Sequence, residues 1–261
     1  MERNRLFDCL KGIGCLGVVF MHIKFPGIWG ELIHETAQFA VPLFILIAGF
    51  YAYGCTTALI KRKAKRIFVI FLVSFSLFLI YNILRHVVEG NLLEWCECTF
   101  NGVFFIKLLV FCTIDFAIPL WYLVAMIETY VLWIVVVIKN KEALLIKLLP
   151  WLFVFHILFT MICETLSLPW FVKTNFISNC LSYYVLGYYL REKTLVKNLS
   201  TNKMKMLVFM TMVGLFFTLL QVVVKFPVDF SCLSIAIYSI GLFLLAMSYP
   251  KVSLGKYVEY I

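Results

Sequence analysis

RLFDCLKGIGCLGVVFMH, residues 5–22, decides the fold, because it reads either as a nucleotide-binding loop or as an apolar helix carrying two ionisable groups. Gly12, Gly14 and Gly17 match the pattern G-x-G-x-x-G. The dinucleotide fingerprint needs a strand before it and an acidic residue about 20 positions on, within a βαβ unit. Here the glycines lie inside an apolar run, where small residues let a neighbouring helix or a ligand channel come close. A cleaved signal peptide is the rival reading. It fails because Asp8, Lys11 and His22 interrupt the run and no small-x-small cleavage site precedes a soluble domain.

The rest of the chain keeps this character. Of 261 residues, 63% are hydrophobic and 14% charged, and the mean hydropathy is +0.98. A soluble domain carries about 45–50% apolar and about 25% charged residues, so a single soluble core is excluded. The long apolar stretches likewise exclude intrinsic disorder. Eight runs, near 8–25, 37–60, 67–88, 117–138, 144–163, 174–190, 205–225 and 229–249, approach or exceed the length of roughly 20 residues that a span needs. The predicted class is an all-α polytopic transmembrane helix bundle of at least eight spans. The segment 102–114 is short and carries Lys107, so it is expected to be re-entrant or interfacial. No soluble domain or repeat interrupts the runs, and residues 1–261 are expected to form one membrane domain. SLGKYVEYI (253–261) begins a further apolar element and stops, so one or two last helices are expected to be missing.

The net charge of +9 points to the membrane rather than to nucleic acid, because of where it falls. Of 23 Lys and Arg, 18 lie in alternate loops: at the N-terminus, in KRKAKR (61–66), across 139–147, across 191–205, and at Lys251 and Lys256. The positive-inside rule then puts the N-terminus in the cytoplasm of a plasma or inner membrane. Nine scattered cysteines, an odd number, are no disulfide framework. The pair in WCEC (95–98) does not have zinc-knuckle spacing, and no metal is expected.

Ionisable groups inside spans are costly and normally face an interior cavity. Lys11 and His22 are eleven residues apart, which places them on one helix face, about 16 Å apart along the axis. Gly14, Cys15 and Val18 lie between them and leave room for something slender. Asp8, three residues before Lys11, is placed to hold the lysine. Glu128 lies seven residues after Trp121, on the same face. It is either a functional carboxylate or a neutral one bonded to a neighbouring helix. Lys61, Arg62, Lys65 and Arg66 obey the topology rule whatever they bind. His34 and Glu35 in the first outer loop, with Trp121 and Tyr122, are candidates for contact with an acceptor, interfacial and packing roles being the alternative.

Residues 5–22 resemble the first helix of the integral-membrane acyltransferases of acyltransferase family 3, in which a basic residue and a histidine are separated by ten positions. Lys11 stands where that family usually has arginine. VPLFILIAGF (41–50) is similar to the family's VPLFF-x-x-SGF, with Ala48 where serine is common. KRKAKRI (61–67) follows as the family's cytoplasmic loop does, PLWYLVAMIETY (119–130) resembles its LWFL-x-x-L helix, and 253–261 resembles the start of a late helix that runs on to Tyr-Leu-x-His.

The resemblance implies transfer of an acyl group, most often acetyl from acetyl-CoA, to a hydroxyl of a sugar, glycan or lipid at the outer face. On that reading His22 removes the acceptor proton or takes the acyl group itself, and Glu128 orients His22 or the acceptor. Lys11, Asp8 and the cations Lys61, Arg62, Lys65 and Arg66 form the coenzyme A mouth. His34, Glu35, Trp121 and Tyr122 touch the acceptor. The expected partners are membrane lipid and a glycan or other hydroxyl-bearing acceptor; the oligomeric state is not legible. A transporter or channel is the alternative from another class, although no inverted repeat is visible. A catalytically silent membrane domain is the third.

Overall fold

The computed structural model describes residues 4–23, 25–194, 201–224, 226 and 229–250. The elements are α1 (Arg5–His22), α2 (Gly27–Ala37), α3 (Ala40–Phe50), α4 (Thr57–Glu89), α5 (Leu92–Thr99), α6 (Gly102–Phe111), α7 (Trp121–Ile138), α8 (Glu142–Thr165), α9 (Ser182–Thr194), α10 (Thr201–Val224) and α11 (Ser231–Ser248). A 3-10 turn at Asp115–Leu120 leads into α7, another lies at Trp170–Thr174, and a π turn at Ile177–Leu181 leads into α9. No strand occurs among the described residues.

The all-α polytopic class holds. Among the described residues six helical stretches are long and apolar enough to cross a membrane: 27–50, 57–89, 102–138, 142–165, 204–224 and 231–248. The first and last runs read from the sequence correspond to α1 and α11. Three details differ. The run 37–60 is not one helix, because α3 ends at Phe50 and the chain turns through Gly54, at φ 70, before Thr56 caps α4 by accepting from the Leu59 N–H. The segment 102–114 is helical over ten residues and continues through the 3-10 turn toward α7. Finally, α1 has the length of a span but carries Arg5, Asp8 and Lys11, and α9 has only 13 residues. The closing segment 253–261 lies outside the described residues.

The chain divides into two compact units. The first comprises Met1–Tyr53, Thr160–Thr165 and Tyr183–Ile261. Within it α1 packs on α2 and α3, α11 packs on α3 and α10, and α10 touches α2. Asn4 begins α1: its side chain accepts from the Phe7 N–H and donates to the Ala246 carbonyl 3.0 Å away, which ties the first helix to the last described one. Phe7 stacks on Phe243 at 5.0 Å between centroids and meets Phe50 edge-on at 5.3 Å, forming the aromatic centre of the unit.

Close backbone approach completes this packing. A Cβ built on Gly49 would strike the Tyr184 carbonyl, and one on Gly187 would strike the Leu46 carbonyl, so α3 and α9 meet backbone to backbone. Gly214 likewise faces Ser234 and Tyr238 where α10 crosses α11, and Thr218 Oγ1 donates to Ser234 Oγ at 3.0 Å. In lipid, helices associate through such small-residue contacts and interhelical hydrogen bonds rather than through the hydrophobic effect.

The second unit comprises Gly54–Phe159 and Leu166–Ser182. There α4 packs on α7 and on the 3-10 turn before it. Asn82, one of only two buried residues of α4, donates to the Phe78 and Phe116 carbonyls. Trp95, Phe100 and Phe104 gather around Phe116. Thr113 and Thr174 share a hydrogen bond at 2.7 Å.

Gly187→Ala should destabilise the fold by about 1–3 kcal/mol, the cost of overpacking a filled contact. The thermal midpoint in detergent should fall by several degrees, whereas Gly102→Ala, whose added Cβ meets no atom within 4 Å, should leave it unchanged. Equal midpoints for both variants would show that α3 and α9 do not touch through their backbones.

Candidate active site

The first helix separates its ionisable groups into two environments. At the Lys11 end, Lys11 Nζ donates to Asp8 Oδ1 at 2.8 Å and lies 5.8 Å from the centre of the Tyr51 ring. The Tyr51 oxygen accepts from the Asn4 backbone N–H and is within electrostatic reach of Asp8 and Arg191. The Arg191 guanidinium lies 4.9 Å from the Phe50 ring. The Lys11 side chain keeps 39% of its surface exposed and Asp8 19%, so the pair is reachable from outside the unit. Sequence reading placed Asp8 with Lys11, and the i,i+3 spacing was its signal. It missed Arg191, which α9 brings back from 180 residues away.

Between the ends, the helix is not a clear channel. The glycines serve packing: a Cβ on Gly14 would come within 2.9 Å of the Phe44 ring, and one on Gly17 would touch Ala37 and Ala40. The room expected beside Gly14 is therefore filled by Phe44. Cys15 and His22 are exposed and Val18 half-buried, so that face is closed at Gly14 and open at Cys15 and His22.

At the other end α1 stops at His22, and the chain turns through Pro26 and Gly27, at φ 70, into α2. Gly30 lets α2 fold against the Phe25 carbonyl, where any side chain would collide. This return brings His34 within electrostatic reach of His22. Glu35 lies 4.0 Å from His34 Nε2 and accepts from Gln38 Nε2 at 2.6 Å. A cavity of about 440 Å³ opens here, starting at Ile23 and Phe25 and edged by the polar residues Glu31, His34, Glu35, Gln221, Asp229 and Ser231. Asp229 Oδ1 accepts from the Ser231 N–H at 2.7 Å, which fixes the start of α11 at the cavity wall. His34 and Glu35, read from the sequence as acceptor contacts, thus share one cavity. Gln221, Asp229 and Ser231 were missed, because only the packing of α10 on α2 brings them there.

The remaining candidates lie in the second unit. Glu128 accepts a hydrogen bond from the Cys112 thiol at 3.3 Å. Cys112 ends α6 in the left-handed conformation, φ 54, in contact with the α7 carboxylate. Glu128 is therefore bonded to the residue that caps the neighbouring α6. Trp121 and Tyr122 are half-buried at the start of α7, edge to face at 6.4 Å. Lys61, Arg62, Lys65 and Arg66 are exposed on the first turns of α4. Among the described residues no group of three or more His, Cys, Asp or Glu is arranged to hold a metal ion.

A family model described as an acyltransferase domain matches residues 4–253, which include α1, the cavity and α7. The chain belongs to acyltransferase family 3. Comparison with curated proteins and with solved structures gives no match. In this acyltransferase the match takes in both ends of α1 and the segments that surround them, so the residues that pack around Lys11 and His22 are part of the family domain.

The Lys11–Asp8 pair is open enough that its contribution to stability is below about 1 kcal/mol. Asp8→Asn should therefore leave the thermal midpoint within a degree or two of the parent. A fall of ten degrees would show instead that the pair is a structural link.

Proposed function

We propose that this acyltransferase moves an acetyl group from acetyl-CoA to a hydroxyl of an exported or cell-surface glycan, across a plasma or inner membrane with the N-terminus cytoplasmic. One observation carries the reading. His22 ends α1 one residue before Ile23, which lines the cavity edged by polar side chains, and lies within electrostatic reach of His34 on the same cavity, while the cations Lys11 and Arg191 gather toward the other end of the helix.

A sugar hydroxyl ionises far above neutral pH, so its attack on a thioester requires a base that takes the proton as the new bond forms. A neutral imidazole meets that need. In the proposed step the acceptor oxygen attacks the thioester carbonyl carbon, and its proton passes to His22. The carbon–sulfur bond then breaks, and coenzyme A leaves as the thiol after taking a proton back. Glu31, Glu35, Gln221, Asp229 and Ser231 offer the hydrogen-bonding groups that hydroxyls demand. The phosphates of coenzyme A are drawn to Lys11 and Arg191. Asp8 holds the lysine and Phe50 backs the arginine, so both cations are positioned before the donor arrives. Lysine binds phosphate as a point charge, without the two-pronged geometry of arginine, and Arg191 supplies that geometry nearby.

Membranes given radiolabelled acetyl-CoA test the reading. His22→Ala should lower label transfer at least about 100-fold, within the range for loss of a general base, with the protein still in the membrane. Lys11→Ala and Arg191→Gln should each raise the KM for acetyl-CoA several-fold with a smaller effect on kcat, and Lys11→Arg should stay close to the parent. Undiminished transfer by His22→Ala would remove the imidazole from the reaction.

A further inference from the structure

The first turns of α4 carry charge that no ion pair among the described residues compensates. Lys61, Arg62, Lys65 and Arg66 fall within an arc of about 140° on one side of the helix, and all four are exposed. Among the described residues none of them forms an ion pair, and the sequence contains no Asp or Glu between Glu35 and Glu89. Ile60 and Asn82, the buried residues of α4, lie on the opposite side.

The same arc continues down the helix as an apolar stripe. Val69, Leu72, Val73 and Ile80 fall within it by helical spacing and are 49%, 44%, 57% and 54% exposed. Over its most apolar stretch only 6% of α4 is buried, so this stripe meets acyl chains. The 33 residues of α4 extend about 50 Å, more than the roughly 30 Å of hydrocarbon. The cations therefore stand at headgroup level, directly above lipid-facing surface.

We infer that the start of α4 is a binding surface for anionic phospholipid. A headgroup phosphate sits among the four cations, and its acyl chains lie along the stripe below. Recognition is of phosphate oxygens, by the forked donors of Arg62 and Arg66 and the point charges of Lys61 and Lys65. Free coenzyme A offers the same phosphate chemistry, but it has no pair of long chains to cover Val69, Leu72, Val73 and Ile80. The stripe favours the lipid, and the donor phosphates are left to Lys11 and Arg191. The surface is independent of the acyl-transfer reading, since it involves neither His22 nor the cavity.

The test uses the full chain reconstituted in phosphatidylcholine bilayers, with association of spin-labelled phosphatidylglycerol measured against spin-labelled phosphatidylcholine. The parent should prefer phosphatidylglycerol by about tenfold or more, as clustered basic residues at a membrane surface do. The variant K61Q/R62Q/K65Q/R66Q should bind both lipids equally. The charge-preserving exchange K61R/R62K/K65R/R66K should keep the preference, and so should K139Q/K141Q/K147Q, which removes exposed lysines elsewhere. The paired variants K61Q/R62Q and K65Q/R66Q, which disturb the helix less, should each lose part of the preference. Absence of selectivity in the parent, an equal loss in the 139–147 variant, or displacement of phosphatidylglycerol by excess free coenzyme A would each overturn the assignment.

Discussion

The backbone contact of α3 with α9 is the constraint from which the arrangement of the first unit follows. Two glycines, one on each helix, remove the side chains that would hold the helices apart: Gly49 opposite Tyr184 and Gly187 opposite Leu46. In hydrocarbon there is little hydrophobic force to draw helices together, so closeness of approach and packing decide which pairs form. Once this pair has formed, Phe50 ends α3 next to Gly49 and Arg191 lies one turn on from Gly187 along α9. The cation–aromatic contact between them is a consequence of that register. Phe50 also fills the space against Phe7 and Phe243, which sets α1 and α11 on the same platform. The position of Lys11 beside Tyr51 thus depends on two missing side chains in helices to which Lys11 does not belong.

The helix that carries Lys11 and His22 is anchored differently at its two ends. Its start is held by the Asn4 cap and by the Arg5 N–H, which donates to the Pro250 carbonyl at 2.8 Å. With 18 residues it is about 27 Å long, close to the thickness of a hydrocarbon core. His22 stands at its other end and is exposed. Lys11 lies about 9 Å in from the start, where it is partly exposed and paired with Asp8 one turn away. Charge at both ends and glycine in the middle are two solutions to one requirement: the helix must pack tightly against α2 and α3 while carrying polar groups through an apolar layer.

Much of this was legible in the sequence because membrane folds expose their class through length and hydropathy. The helical runs, the Lys11–Asp8 pair and the packing role of Gly14 and Gly17 all follow from local spacing. What the sequence hid depends on contacts between distant segments. Phe44 filling the room beside Gly14 is a contact between helices, and no periodicity marks it. The break between α3 and α4 was hidden because Tyr51, Ala52 and Tyr53 are as apolar as the helices they separate, and only Gly54 and the cap Thr56 marked a turn. Gln221, Asp229 and Ser231 sit beside Glu35 only through the packing of α10 on α2. Cys112 reaches Glu128 through a left-handed residue, a conformation that cysteine does not advertise.

The way the chain treats its cations separates groups that work within the fold from groups directed outside it. Lys107 donates to Asp115 at 2.8 Å and lies over the Phe171 ring, Arg85 donates to Glu89 at 2.7 Å, and Lys63 donates to the Cys55 sulfur. Each has a partner close in sequence or across a helix contact. Lys63 is instructive because it belongs to the same basic run as the four exposed cations of α4, yet it points to the opposite side and, among the described residues, is the one member of the run with a hydrogen bond. A run retained only for topology would satisfy the orientation rule with its charges anywhere around the helix. Concentration of four charges on the lipid-facing side, with the fifth turned inward and satisfied, requires a further reason, and a charged bilayer surface along that same side supplies one.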